Sequence, residues 1–271
     1  MKYAFIFQCL FMIGSCSPDY HLHSGAYKTI AGTKIYYEEY GIGSPLLILS
    51  GGGIDRSVRD FNQCITPLSK SFRLILPGSP GQGRSEQPDT LTYKLLTGYF
   101  SHLIDSLDLD SVSVMGWSDG GIAALLLAAS RPDKVKKVIA VGANNGLSGA
   151  LPAGIDVNTV IPQSLEAWAI RNQQSVENYS KEVIRDWKKM MNSLNAMWYQ
   201  PKYFPDSILS KIHVPVMIAQ GDRDDISTID HAVSLHRMIA NSQLCILPGT
   251  GHELFMERPA LIGDISTDFF K

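Results

Sequence analysis

A serine inside a glycine-flanked motif is the residue best suited to nucleophilic chemistry in this chain. Ser118 is the centre of Gly-Trp-Ser-Asp-Gly at residues 116–120, after an apolar run at 111–115 and before an Ala/Leu-rich stretch that begins at Gly121. A strand that turns sharply into a helix holds its serine in a strained conformation and exposes the hydroxyl, and small residues on either side permit that turn. The motif is common by chance, but this strand–turn–helix setting predicts a nucleophilic Ser118.

A serine hydroxyl also needs a base to take its proton. Of the seven histidines, only His252 follows an apolar strand pattern, at residues 244–247, through a flexible turn at 248–252. It should therefore reach the sheet edge where Ser118 lies. The other histidines lie near the N-terminus (His21, His23), in helical patterns (His102, His231, His236) or just before a strand (His213).

The base in turn needs an acid that orients it. The apolar run at 214–219 leads into a loop with three candidates, Asp222, Asp224 and Asp225. Spacing alone does not choose among them, and one of them could instead have a structural role near a helix cap.

Short apolar runs recur along the chain with helical stretches between them, which is typical of a parallel sheet covered on both faces. A Gly turn at 31–33 between two β-rich runs indicates a hairpin before them. The expected fold is a mostly parallel, doubly wound α/β sheet. The predicted strands are residues 45–49, 72–76, 111–115, 135–141, 214–219 and 244–247.

Residues from about 145 to 211 interrupt the alternation. They contain no strand pattern, but two helical patterns, at 164–173 and 176–194, and several tryptophans. A helical insertion of this kind should cover the carboxyl edge of the sheet, where open α/β sheets bind their ligands. We interpret it as a cap; a helical subdomain without substrate contact is the alternative.

The N-terminus has the features of an export signal. Lys2 precedes an apolar run at residues 4–13, which Gly14, Ser15 and Cys16 follow. This ending resembles a bacterial lipobox and predicts a signal peptide at 1–15, lipidation of Cys16, a tether at 16–26 and a lipid-anchored location in the cell envelope. A cleaved signal with an incidental cysteine, giving a periplasmic or secreted protein, and an N-terminal core helix are the alternatives.

Composition excludes some functions. The 271 residues are 45% hydrophobic and 18% charged, with a formal net charge of -2, so the chain is globular and has no electrostatic footprint for nucleic acid. No Walker or dinucleotide glycine motif is present, and neither a metal nor an organic cofactor is implied. A pairing of Cys64 with Cys245 cannot be inferred from sequence.

Taken together, these motifs resemble the α/β-hydrolase superfamily from about Tyr27 to Phe270, and the predicted hydrolase domain is residues 27–271. The landmarks that carry the resemblance are Gly51-Gly52, Gly81-Gln82-Gly83-Arg84-Ser85, Gly116-Trp117-Ser118-Asp119-Gly120-Gly121, Gly221-Asp222-Arg223-Asp224 and Gly251-His252.

The resemblance assigns roles that spacing left open. It implies that Asp224 is the acid, with Asp222 and Asp225 in reserve. It also implies that the backbone N–H groups of Gly52 and Asp119 form the oxyanion hole. Two motifs, Gly116-Trp117-Ser118-Asp119-Gly120-Gly121-Ile122 and Gly142-Ala143-Asn144, are together similar to the valacyclovir hydrolase-like group of the superfamily. In that group the acid after the nucleophile is linked to recognition of a substrate amino group.

That likeness makes Asp119 and its neighbour Trp117 candidates for substrate binding. Asp119 could equally be an acidic residue that the helix dipole favours. Two positions depart from the family pattern: Ser50 replaces the usual His before the oxyanion glycine, and Gly78 replaces the usual acid before the Gly-x-Gly turn.

The expected activity is hydrolysis of a small carboxylic ester through an acyl-enzyme on Ser118, with His252 as base and Asp224 as its partner. Cleavage of carbon–carbon bonds, lactones or thioesters by the same residues is an alternative. A second alternative is a lipid-anchored binding protein that kept the fold and lost turnover. The expected partner is a small ester-like molecule; the sequence does not indicate an oligomeric state.

Overall fold

The fold is built on one eight-stranded sheet. The computed structural model describes residues 23–54, 56–146 and 186–271. The strands lie in the order β1-β2-β4-β3-β5-β6-β7-β8, and all neighbours from β4 to β8 run parallel, whereas β1 and β2 are antiparallel. Their bounds are β1 (His23–Ile30), β2 (Thr33–Tyr40), β3 (Ser44–Leu49), β4 (Phe72–Pro77), β5 (Val112–Trp117), β6 (Val135–Val141), β7 (Val216–Gly221) and β8 (Ser242–Leu247).

Helices connect the parallel strands. They are α1 (Asn62–Leu68), α2 (Tyr93–Ser106), α3 (Asp119–Ser130), α4 (Trp187–Trp198), α5 (Ile229–Met238), α6 (Leu254–Glu257) and α7 (Pro259–Phe270), with 3-10 turns at Val58–Phe61 and Asp206–Lys211. Most residues of α3 are buried. A helix that is buried on all sides is apolar around its whole circumference, as this one is.

Alternate strand residues supply two separate cores. Leu47 and Leu49 of β3 pack with α2, α3 and α5 on one face, whereas Leu46 and Ile48 pack with α1 and α7 on the other. This alternation follows from the two-residue period of a strand. The predicted α/β sheet with helices on both faces is therefore confirmed.

The topology reverses at β3, which lies between β4 on one side and β5 on the other. The connection from β3 to β4 therefore leads toward one edge of the sheet, whereas β5 and the strands after it lie toward the other edge. At such a reversal of strand order, a crevice forms beyond the carboxyl ends of the strands. The loops after β3, β5, β7 and β8 carry the predicted functional residues to this edge.

The start of the domain differs from the prediction. Strand β1 begins at His23, so part of the predicted tether at 16–26 pairs with β2. Tyr27 is exposed on this edge strand, but the backbone pairing continues. Cys64 is buried and Cys245 half-buried, and both are free thiols. Cys245 is less buried than its apolar surroundings suggest because β8 is the edge strand.

Several predictions fall outside the described residues. The signal peptide at 1–15, Cys16 and the first part of the tether are among them, as are residues 147–185 of the predicted cap. Within the ranges that the structure does describe, no helix has the length and apolarity needed to cross a membrane.

Candidate active site

Ser118 occupies a sharp turn between β5 and α3. Its φ of 53° and ψ of -119° lie in a region that L-residues rarely adopt. A side chain at Gly116 would overlap the carbonyl oxygen of Gly120, so the strand can pass this close to the helix only because glycine stands there. Ser118 is the N-cap residue, yet its hydroxyl makes no capping hydrogen bond. The turn therefore leaves the hydroxyl free for chemistry.

The structure brings His252 and Asp224 together. His252 Nδ1 lies 2.8 Å from Asp224 Oδ2, and the Asp224 side chain is fully buried. The two residues come from the loops after β8 and β7. Gly142, just after β6, makes room for the pair, since a Cβ there would lie 3.0 Å from His252 Cε1.

Asp224 is held in place by its own loop. Its Oδ1 accepts hydrogen bonds from the backbone N–H groups of Ile226 and Ser227, each at 2.8 Å. Its Oδ2 accepts one from Gln220 Nε2 at 2.6 Å as well as facing His252. This full set of donors fixes the carboxylate and directs Oδ2 at the imidazole.

The two alternative acids, Asp222 and Asp225, have other surroundings. Asp222 Oδ1 accepts from the backbone N–H groups of Gly249 at 2.6 Å and Thr250 at 3.3 Å, so it shapes the turn that carries His252. Asp225 is exposed. Of the three acids left open by spacing, Asp224 is thus the one that contacts the histidine.

Trp117 joins the histidine loop to the nucleophile turn. Its indole Nε1 donates to the His252 carbonyl oxygen at 2.9 Å, and the two rings lie 5.5 Å apart. The side chain is only 2% exposed and packs beneath Gly51. Trp117, which the sequence made a candidate for substrate binding, thus has these protein groups as its partners in the structure.

A charged pair ties the same loops together from outside. Arg56 lies over the Trp117 ring, 4.9 Å from its centroid, and forms an ion pair of 3.0 Å with Glu253. Arg56 follows the glycine loop, and Glu253 follows His252. The loops on both sides of Ser118 are therefore linked across Trp117.

The glycine loop at 51–53 lies directly against Asp119. A side chain on Gly52 would overlap Asp119 Oδ2 and come within 2.9 Å of the Trp198 ring. Asp119 is the first residue of α3, so its backbone N–H is one of the unpaired donors at the helix start. The predicted oxyanion donors, Gly52 and Asp119, are thus neighbours beside Ser118.

The Asp119 carboxyl is buried beneath aromatic side chains. Oδ1 accepts from the Tyr93 hydroxyl at 2.7 Å, and Oδ2 accepts from Trp198 Nε1 at 2.8 Å. Burial raises the pKa of Asp119, while the hydrogen bonds from Trp198 and Tyr93 and the nearby His252 oppose that rise. Trp198 ends α4, so the described part of the predicted cap reaches the residue next to the nucleophile.

Sequence reasoning missed four polar or aromatic partners of the site: Tyr93, Trp198, Gln82 and Gln220. Gln220 and Gln82 are both buried, at 0% and 2% exposure. A glutamine that ends the apolar run of β7 was a usable signal for Gln220, because a buried amide needs partners. Tyr93 and Trp198 lie 26 and 79 residues from Asp119 along the chain, and no local pattern relates them to it.

No group of three or more His, Cys, Asp or Glu side chains in the described ranges is arranged to hold a metal ion. The chemistry that these residues can perform is proton transfer and nucleophilic attack. Asp224 contacts the His252 imidazole, a side chain that can act as a base, and Ser118 places a hydroxyl without a capping hydrogen bond at a helix start.

Comparisons with known proteins concern the family and the fold of the chain. Residues 46–265 match the Alpha/beta hydrolase family. Serine hydrolase BPHL of Homo sapiens is 24% identical over 266 residues, covering 92% of this chain and 87% of that protein. The 2-hydroxymuconate semialdehyde hydrolase of Pseudomonas sp. (strain CF600) is 23% identical over 258 residues, covering 88% and 91%.

A solved structure has a similar fold. A meta-cleavage product hydrolase from Pseudomonas fluorescens IP01 superposes with a TM-score of 0.79 at 19% identity, covering 91% of this chain and 97% of that one. At this identity the superposition establishes the fold.

Proposed function

Because the chain belongs to the Alpha/beta hydrolase family, we propose that it is a serine hydrolase that cleaves a small carboxylic ester through an acyl-enzyme. The observation that carries this proposal is the 2.8 Å contact between His252 and Asp224, joined through Trp117 to the turn that exposes Ser118. A nucleophile, a base and a buried orienting acid on three loops of one sheet edge are the parts that acyl transfer requires.

The reaction begins with proton transfer. His252 takes the Ser118 proton on Nε2 while its Nδ1–H continues to donate to Asp224 Oδ2, and the carboxylate stabilises the imidazolium. Ser118 Oγ bonds to the ester carbon and the carbonyl oxygen becomes an oxyanion. The tetrahedral intermediate then collapses: the carbonyl re-forms, the bond between the ester carbon and the alcohol oxygen breaks, and His252 protonates that oxygen. Water attacks the acyl-enzyme by the same route, releasing the acid and restoring Ser118.

The backbone N–H groups of Gly52 and Asp119 hold the oxyanion in this scheme. One such donor contributes about 3 kcal/mol in sites of this kind. The helix dipole of α3 adds to the stabilisation, because the oxyanion forms at its amino end.

The Asp119 carboxyl should select substrates by their charge. A carboxyl beside the reacting carbon favours a substrate with an amino group and disfavours one with a second carboxylate. Its oxygens each accept one hydrogen bond, and a carboxylate can accept about four, so an ammonium group can still bind. An Asp119→Asn variant should therefore lose its preference for amino-acid esters over neutral esters of the same size.

Carbon–carbon bond hydrolysis is a second candidate, favoured by the likeness to 2-hydroxymuconate semialdehyde hydrolase and to the meta-cleavage product hydrolase. The same serine, histidine and acid could serve there. Competition between a p-nitrophenyl amino-acid ester and a 2-hydroxy-6-oxo dienoate separates the two, because only the true substrate class should turn over with a high kcat/KM.

Labelling with a fluorophosphonate tests the proposal. The probe should label the wild type at Ser118, and Ser118→Ala should lose labelling and at least about 10⁴-fold in ester turnover. Ser210→Ala, which changes an exposed serine, is the matched control and should behave as wild type.

Two results would contradict the proposal. Full esterase activity in Ser118→Ala would exclude this nucleophile. A folded wild type that neither reacts with the probe nor turns over any ester, lactone, thioester or dienoate would favour the non-catalytic binding protein.

A further inference from the structure

Gln82 is a buried polar residue that the reaction described above does not use. It lies in the turn after β4, where its backbone N–H donates to Ser79 at 2.9 Å and its carbonyl accepts from Ser85 at 3.0 Å. Gly81 and Gly83, with φ of 80° and 55°, let the chain fold tightly on either side. The backbone is fixed, and the side chain, 2% exposed, points into the protein.

The side-chain amide of Gln82 pairs with the glycine loop. The surroundings of the amide assign its orientation, because the opposite one would place oxygen against the Gly51 carbonyl oxygen and NH₂ against the Gly53 N–H. In the assigned orientation, Nε2 donates to the Gly51 carbonyl oxygen at 3.1 Å and Oε1 accepts from the Gly53 backbone N–H at 3.1 Å. Both ends of the amide thus bind one short loop in the manner of a neighbouring strand. A buried amide in this arrangement has its main hydrogen-bonding needs met.

This pairing decides which backbone group of the loop is available. The Gly53 N–H is occupied by Gln82, whereas the Gly52 N–H makes no hydrogen bond within the part of the chain that the structure describes. Asp119 and Trp198 leave no space for a side chain at Gly52. The loop is therefore held between Gln82 and the start of α3.

Three consecutive glycines need such support. Glycine has more conformational freedom than any other residue, so an unsupported Gly-Gly-Gly loop would sample many directions for each N–H. Oxyanion donors act well only when they are already aimed at the developing charge. External hydrogen bonds are the means by which this loop can stay in one conformation.

We propose that Gln82 is a positioning residue, which aims the Gly52 N–H at the oxyanion by binding the loop on both sides of it. The inference rests on the proposed function. Gln82 does not touch the substrate, and its effect should appear in transition-state stabilisation rather than in substrate binding.

Gln82→Met tests the proposal, because methionine has nearly the same shape and lacks both hydrogen-bonding groups. Losing one oxyanion donor costs about 10²–10³ in kcat, so misaiming one should lower kcat by about 10- to 100-fold. KM should change less than about threefold, since the uniform binding of the substrate is kept. A trifluoromethyl ketone, whose carbonyl becomes an oxyanion on bonding to Ser118 Oγ, should lose affinity in parallel with kcat/KM.

Two further variants complete the test. Gln82→Glu keeps an acceptor for Gly53 but turns a second acceptor toward the Gly51 carbonyl oxygen, so its kcat should fall at least as far as that of Gln82→Met. Gln63→Met changes an exposed glutamine of α1 and should leave kcat and inhibitor affinity unchanged.

Hydrogen exchange keeps the test independent of activity. The Gly53 amide should exchange faster in Gln82→Met than in wild type, whether or not the protein hydrolyses esters. Unchanged Gly53 exchange would overturn the bridge itself. Unchanged kcat and inhibitor affinity in an active protein would overturn the positioning role while leaving the proposed function intact.

Discussion

At the residue scale, the tautomer of His252 depends on one oxygen atom. Asp224 Oδ2 faces Nδ1, while Oδ1 is occupied by the N–H groups of Ile226 and Ser227. An asparagine there would keep its oxygen toward those two donors and turn its NH₂ toward His252. The imidazole would then carry its proton on Nε2 and could not accept one from Ser118.

Asp224→Asn should therefore lower kcat by about 10⁴-fold, as expected for a histidine in the wrong tautomer. Steady-state ester hydrolysis is the measurement. Asp225→Asn, an exposed neighbour, is the control and should retain wild-type turnover. The reverse pattern would move the acid role to Asp225.

Asp119 makes the stability of the fold depend on pH. Burial raises its pKa above the ordinary value of 3.8, so the folded protein binds this proton at a higher pH than the unfolded chain does. Stability from this group is fully present below 3.8 and is lost as pH rises through the folded-state pKa.

The free energy of unfolding of wild type should rise relative to that of Asp119→Asn as pH is lowered from about 7 to about 4. Urea denaturation of both proteins at each pH measures the difference, in which the other carboxyls cancel. A difference that falls on acidification would mean that the hydrogen bonds from Tyr93 and Trp198 outweigh burial.

Some of these residues could be found from sequence and others could not. Ser118 and His252 each sit in a local pattern next to a strand, and a family resemblance selected Asp224. Tyr93, Trp198 and Gln82 owe their positions to tertiary packing, because each meets the site through contacts far apart in the chain. Trp117 lay within the motif, but only the fold reveals that its indole is turned inward.

At the scale of elements, β5 delivers both the nucleophile and a support for the histidine loop. Trp117 ends the strand, and its indole N–H binds the His252 carbonyl oxygen. Its ring also packs edge-on against Phe255 of α6, with centroids 4.8 Å apart. One strand end thus fixes two loops.

Trp117→Phe keeps an aromatic ring there and removes the hydrogen bond. The loss of about 1 kcal/mol should loosen the His252 loop and lower kcat/KM by about fivefold. Ester kinetics and thermal unfolding of the same preparation measure both effects. An unchanged kcat/KM with a lowered Tm would limit Trp117 to a role in stability.

The strand pattern predicted the elements of the parallel sheet well. Each of β3 to β8 lies within two residues of its predicted bounds. The shift at β7 has a local cause, since Pro215 has no N–H for a ladder and the strand begins at Val216. The order of strands was not predictable from periodicity, because periodicity marks burial and carries no information on which strands are neighbours.

At the scale of the whole molecule, the sheet supports a conformation that the chain would not adopt alone. Ser118 N–H donates to the Val141 carbonyl oxygen at 2.8 Å, and β5 pairs with both β3 and β6. These contacts hold Ser118 at a positive φ, which costs about 1–3 kcal/mol for a residue with a side chain. The energy comes from the surplus stability of a large, doubly covered sheet.

The strained turn implies a trade-off between folding and activity at a single position. Glycine tolerates this backbone region. The free energy of unfolding of Ser118→Gly should therefore be about 1–2 kcal/mol higher than that of the equally inactive Ser118→Ala, as measured by chemical denaturation. Selection for conformational stability alone would favour glycine at position 118. Serine is thus present at a position where its backbone conformation is strained, and replacing this nucleophile with glycine would make the protein more stable.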